Sequence, residues 1–185
     1  DFEDGLAADP AGVAANVTKA VATGIAGLSI EDSTRDGLDP LYAFDLAVER
    51  IRAARSAIDK SGTGVLLTAR SEGFVAGRPD LVETIKRLQA YASAGADCLF
   101  APGLNRKEDV AAVVKAVAPK PVNLIGGLPL TVAEIAALGV RRISVGGSLA
   151  RAAWTGFAAA AKEIAEQGTF GGFKGPRLDL NGVFA

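Results

Sequence analysis

The 185-residue chain contains no histidine, no methionine and one cysteine. Without histidine it lacks the commonest general base and the commonest metal ligand, so acid–base or metal chemistry must run on carboxylates, hydroxyls, lysine, tyrosine or that one thiol. The lone Cys98 excludes an intrachain disulfide, and its setting in the apolar run GADCLFAP predicts a buried, inert thiol. No window approaches the roughly 18 uninterrupted apolar residues of a membrane span, and no charged-then-apolar leader opens the chain. The formal charge of -1 arises from evenly mixed acids and bases, which leaves no basic stripe for nucleic acid and no polybasic patch for a membrane surface. These absences predict a cytoplasmic protein, with neither nucleic acid nor a membrane indicated as a partner. Since methionine is missing even from position 1, a processed or incomplete piece of a longer protein is expected.

What is present is an apolar, strongly patterned chain. At 49% hydrophobic and 22% charged residues, it has enough apolar surface for one globular domain with a sizeable core. Short apolar runs bounded by turn residues read as buried parallel strands: Gly24 to Glu31, Gly64 to Glu72, Ala96 to Gly103, Pro121 to Gly127 and Arg141 to Ser148. Between them lie amphipathic helices over Pro10 to Ala22, Pro40 to Lys60, Pro79 to Ala94, Lys107 to Ala118, Thr131 to Leu138 and Leu149 to Glu166. Three strands share one punctuation, ATGIAGLSI, SAGADCLFA and AALGVRRISV, in which a glycine closes a helix just before a strand. Such βα repetition means a doubly wound sheet or a (β/α)8 barrel, and the missing Gly-x-Gly-x-x-Gly weakens the dinucleotide-binding alternative. With a residual strand in DFE there are six βα units, two short of a barrel. Residues 168–185 are expected to form an irregular C-terminal arm, docking on a neighbouring subunit.

Polar residues collect where strands end. Strand alternation places Ser29 with Glu31, and Thr68 with Arg70 and Glu72. In DFED, Asp1 and Glu3 share a face opposite Phe2, with Cα atoms about 7 Å apart in an extended chain. Carboxylates that hold a hard divalent cation, with a guanidinium fork nearby for a substrate carboxylate, are the arrangement that stabilises an enolate-like oxyanion. Equally open is an internal Glu31–Arg70 salt bridge closing the barrel, with Asp1 and Glu3 merely solvated. The EDSTRDGLDPLY segment reads as a loop that closes over a site, offering Ser33, Thr34, Arg35 and Asp36, or as a plain exposed loop. Gly146-Gly147-Ser148 stands where many barrels bind phosphate, although close packing by glycine explains it as well.

Taken in order, DFEDG, AGLSIEDS, LLTARSEGF, AGADCLFAPG, PVN and VRRISVGGSLARAA resemble the isocitrate lyase and phosphoenolpyruvate mutase superfamily, over the chain up to about Phe170. The resemblance implies a (β/α)8 TIM-type barrel lacking here its first two strands and most of the third, with the barrel running from residue 1 to residue 167. It implies a homo-oligomer, tetramer or dimer, with a terminal helix swapped between subunits. The implied activity is that of a Mg2+- or Mn2+-dependent lyase that cleaves a C–C or P–C bond beside a 2-oxo acid. Asp1, Glu3 and Glu31 are implied metal ligands, Arg70 and Glu31 catalytic groups, and Arg70, Glu72, Ser33 and Thr34 substrate contacts. The loop STRDGLDP carries neither the cysteine motif of the lyase branch nor the asparagine of the mutase branch, so the specific reaction stays open. Two further readings remain: a phosphate-ligand barrel working from Gly126-Gly127 and Gly146-Gly147-Ser148, and a non-catalytic scaffold of the same fold.

Overall fold

The computed structural model describes residues 1–127, 129–174, 179 and 182. Two compact units divide the chain, Asp1–Ser144 and Val145–Ala185.

The first unit is a parallel sheet of five strands, β1 (Gly27–Glu31), β2 (Leu66–Arg70), β3 (Cys98–Phe100), β4 (Val122–Ile125) and β5 (Arg142–Ser144). Their order in the sheet is their order in the chain. A doubly wound sheet reverses its strand order at a switch point; this one never does, so its topology is that of part of a TIM-type barrel. Helices α1 (Pro10–Val21), α2 (Phe44–Ser61), α3 (Leu81–Ser93), α4 (Lys107–Val117) and α5 (Val132–Ala137) precede or link the strands.

Register explains why the two faces differ. Leu28, Ile30, Leu67, Ala69, Leu99, Val122 and Leu124 are buried together with Val13, Ile51, Ile58, Leu88, Tyr91 and Val113 from the helices. Each large aliphatic side chain so enclosed contributes roughly 1.5–3 kcal/mol. On the opposite face, Ser29, Thr68 and Cys98 align in one row, and Glu31, Arg70, Phe100, Asn123 and Arg142 in the next. Stability therefore lies on the helix side, and polar chemistry on the other.

The three expected helix-closing glycines, Gly24, Gly95 and Gly139, all take positive φ. At Gly95, with φ of 105°, a Cβ would also stand 2.5 Å from Arg55 Cγ. Gly95→Ala is expected to destabilise the fold by roughly 1–3 kcal/mol in urea unfolding, since Arg55 can yield but the backbone cannot.

Two expected helix starts move. Pro40 lies in a loop that folds on itself, where Thr34 N–H donates to Pro40 O at 2.9 Å and Tyr42 N–H to Asp32 O at 2.9 Å, so α2 begins only at Phe44. Likewise α3 begins at Leu81, because the Asp80 carboxylate accepts from the amides of Val82 and Glu83 at 2.9 and 3.0 Å. The expected strand in DFE is also corrected. Phe2 N–H donates to Ser29 O and Glu31 N–H to Glu3 O, so the segment lies along β1, but Glu3 turns to φ 49° and the chain enters a turn. The expected Asp1–Glu3 alternation ends there.

In the second unit, α6 (Ser148–Gln167) is followed by a short 3-10 turn at Gly171–Phe173. Glu163 ties the two by accepting from Thr169 Oγ1 at 2.6 Å and Gly172 N–H at 2.7 Å. Half of the expected C-terminal arm, residues 175–178, 180, 181 and 183–185, lies outside the described residues. Among the described residues no helix is long and apolar enough to cross a membrane.

Candidate active site

Arg70 is the centre of the polar face. It ends β2 beside Glu31, the last residue of β1. Its guanidinium meets three carboxylates: Nη1 donates to both oxygens of Asp1 at 2.8 Å, Nη2 lies 3.0 Å from Glu31, and Nε donates to Glu72 at 2.8 Å. The Phe100 ring stands 5.4 Å from the guanidinium carbon. Arg70, Glu31 and Glu72 are mostly enclosed, while the Asp1 side chain is 63% exposed. Three acids against one guanidinium leave a surplus of negative charge. Burial raises the pKa of both Glu31 and Glu72, and the Arg70 charge only partly offsets it.

Because both carboxyls bind a proton more readily folded than unfolded, their ionisation as pH rises through the raised folded value removes stability. Wild type is accordingly expected to gain stability on Glu72→Gln as pH falls from about 7 to about 4, measured by urea unfolding at each pH. A stability difference that stays constant over that range refutes this.

The structure thus brings together Asp1, Glu31, Arg70 and Glu72, and includes the Glu31–Arg70 ion pair left open as an alternative. It does not bring Glu3 to them. Glu3 pairs with Arg35, whose charge also reaches Asp4 at 3.8 Å. Ser33 and Thr34 hold their own loop: Ser33 bridges to Leu41 and its Oγ accepts from Arg35 N–H at 3.2 Å, while Thr34 Oγ1 donates to Asp39 O and accepts from Asp36 N–H. Gly126 and Gly127 follow β4, with Gly126 N–H donating to Ser144 O at 2.7 Å. In the second unit, Gly147 is the N-cap of α6. Cys98 is buried, and that burial holds its thiol above the ordinary range.

Oxygen donors and surplus negative charge are the chemistry a hard divalent cation takes. As arranged, however, Asp1, Glu31 and Glu72 take separate edges of Arg70, and among the described residues no three acids or other ligand side chains are grouped to hold a metal.

Beneath this cluster is one that strand alternation did not find. Asp32 is buried and accepts from Glu72 N–H at 2.7 Å, Arg87 Nη1 at 3.1 Å and Tyr91 Oη at 2.6 Å. Tyr91 is held well above the ordinary tyrosine range by its burial and by the Asp32 charge. Arg50, also buried, donates to the carbonyls of Asp4, Ala7 and Ala8 and stacks 3.8 Å from the Tyr42 ring centre, fixing the turn after Glu3. The only sequence signal for Asp32 was a second acid beside Glu31.

The family model for phosphoenolpyruvate phosphomutase matches residues 1–165. A Burkholderia cenocepacia J2315 structure named as a candidate lyase/mutase is 45% identical, with a TM-score of 0.94 over 100% of this chain and 68% of its own. An oxaloacetate acetylhydrolase structure with the product oxalate is 29% identical, with a TM-score of 0.82 over 92% of this chain and 60% of its own. An uncharacterised Mycobacterium tuberculosis (strain H37Rv) protein is 33% identical over 148 residues, 79% of this chain and 53% of that protein. The oxaloacetate decarboxylase of Paraburkholderia xenovorans (strain LB400) is 30% identical over 126 residues, 65% of this chain and 40% of that enzyme. The chain spans about half the length, or less, of the curated relatives it matches.

Proposed function

The chain belongs to the phosphoenolpyruvate phosphomutase family, and from that premise we propose that it carries the strand-end site of a lyase acting on a 2-oxo acid or related carboxylate. The bond cleaved is C–C or P–C, and the charge left behind is that of an enolate. The observation that carries this reading is the convergence of Asp1, Glu31 and Glu72 on Arg70 at the C-terminal ends of β1 and β2, the end where barrel enzymes keep their chemistry. Oxaloacetate acetylhydrolase, 2,3-dimethylmalate lyase and oxaloacetate decarboxylase are named among the relatives, and their substrates are small carboxylates.

In this reading Arg70 exchanges its bond to exposed Asp1 for a bidentate bond to the substrate carboxylate or oxyanion. Glu31 and Glu72 hold the guanidinium in place from its other edges. Glu72, with its raised pKa, can hold a proton at the site more readily than an exposed acid. The loop of Ser33 and Thr34, braced by Arg35, closes over the substrate and keeps water out. Asp1, Glu3 and Glu31 would hold Mg2+ or Mn2+ on leaving their present pairings with Arg70 and Arg35, and the cation would supply Lewis acidity toward the 2-oxo group. The homo-oligomer, tetramer or dimer, belongs to the same proposal, with Trp154 and Phe157 exposed on α6 in its support.

The test is thermal unfolding of the protein with MgCl2 and oxalate, an enolate mimic, each alone and together. Saturating binding at about 100 times Kd adds about 2.7 kcal/mol, a rise of roughly 5–10 °C for a chain of this size. An unchanged Tm with both present rejects the reading.

A further inference from the structure

Behind the Arg70 cluster, on the helix side of the same strand end, lies a cavity of about 380 Å3 that the proposed chemistry does not use. It is walled by Leu41, Ser71, Gly73, Arg78, Thr84 and Arg87. A second cavity of about 310 Å3 shares Leu41, Arg78 and Arg87. Volumes of roughly 300 Å3 and more are those of small-ligand pockets rather than of single waters.

Two features of the first cavity point to an occupant. Ser71 is only 1% exposed, yet its hydroxyl has no hydrogen-bond partner. A buried hydroxyl left unpaired costs about 1–3 kcal/mol, so a ligand atom that pairs with it is favoured. Charge is the second feature. The acids on the rim are committed, Asp80 to the α3 amides and Glu83 to Arg87 and Lys86. Arg87 is likewise spent on Asp32 and Glu83. Arg78 has no ion-pair partner among the described residues, which leaves its guanidinium free to meet an anion at the mouth. Leu41 and Pro79 make the remaining wall apolar.

We infer that this cavity is a second ligand site, separate from Arg70, that takes a small monocarboxylate with a short apolar body. The carboxylate meets Arg78 at the mouth, the body lies on Leu41 and Pro79, and an oxygen pairs with Ser71. Leu41 belongs to the loop after β1, and Ser71 directly follows Arg70, so an occupant touches both the closing loop and the strand that carries the guanidinium. The inference does not rest on the proposed lyase chemistry.

Butyrate and its neutral isostere butyramide serve as probes, titrated to about 50 mM into the isotope-labelled chain and followed by amide NMR, a range that reaches millimolar Kd. Saturable shifts at Gly73, Arg78 and Thr84 are expected with butyrate. Butyramide should bind about tenfold more weakly, the loss of one charge-assisted bond. Arg78→Ala should weaken butyrate to the same degree while the amides of residues 29–31 keep their positions; Ser71→Val tests the floor independently. No saturable shift, equal binding of butyramide, or shifts confined to residues 29–31 and 70 would each overturn the inference, the last by placing the anion at Arg70.

Discussion

Arg70→Ala is expected to abolish oxalate binding and to cost about 3–5 kcal/mol of stability, the range for removing one partner from an enclosed ion pair. Glu31 and Glu72 would remain in place without their counter-charge, and their raised pKa values would rise further. Lysine is a poor substitute, since one ammonium cannot face three carboxylates from three edges at once. Arg70→Lys should recover part of the stability and little of the binding. Urea unfolding and oxalate calorimetry on the two variants, with turnover of a 2-oxo acid as the third readout, separate the possible outcomes. An enzyme loses turnover, whereas a scaffold of the same fold has none to lose. If Arg70→Ala binds oxalate as wild type does, the guanidinium is structural only.

Asp32→Ala is expected to be as damaging, by about 3–5 kcal/mol, although Asp32 belongs to no exposed site. The change leaves the Tyr91 hydroxyl and the Glu72 amide without their acceptor in the interior, and leaves Arg87 with only Glu83 and the Tyr42 carbonyl. Asp32→Asn keeps an acceptor and the volume, so it should lose less, and Tyr91→Phe should cost only about 1.5–3 kcal/mol, the value of one hydrogen bond to a charged group. Equilibrium urea unfolding of the three variants checks the order. If Asp32→Ala and Tyr91→Phe prove equal, Arg87 is supported chiefly by Glu83 rather than by Asp32.

The repeating βα order was legible in the chain because its two periods are strong: alternating or continuous apolar runs for strands, and Ala-rich amphipathic turns for helices. The glycines before β1, β3 and β5 marked re-entry points because a left-handed residue at a helix end is a local requirement. Arg70, Glu31 and Glu72 were legible for a related reason, since alternation assigns them to one face. What escaped depends on contacts that no local period encodes. Asp32 lies one residue past Glu31 and turns inward because Arg87 and Tyr91, more than fifty residues later, come to meet it. Arg50 reads as an ordinary polar residue on α2 until the turn after Glu3 supplies three carbonyls to it. Glu3 itself reads as strand because nothing in DFEDG announces a left-handed residue before the glycine. Pro40 and Pro79 read as first-turn residues, whereas the loop bridge and the Asp80 cap set the helix starts at Phe44 and Leu81.

Strand order identical to chain order carries an evolutionary consequence. Each strand places its apolar residues toward the helices and delivers its polar ones to a shared rim, so a substitution at the rim loses its own polar contacts while the apolar packing beneath stays in place. A lineage built this way can drift in chemistry while its architecture stays fixed. Relatives with the same frame but named as mutase, acetylhydrolase or lyase are the divergence such a division permits.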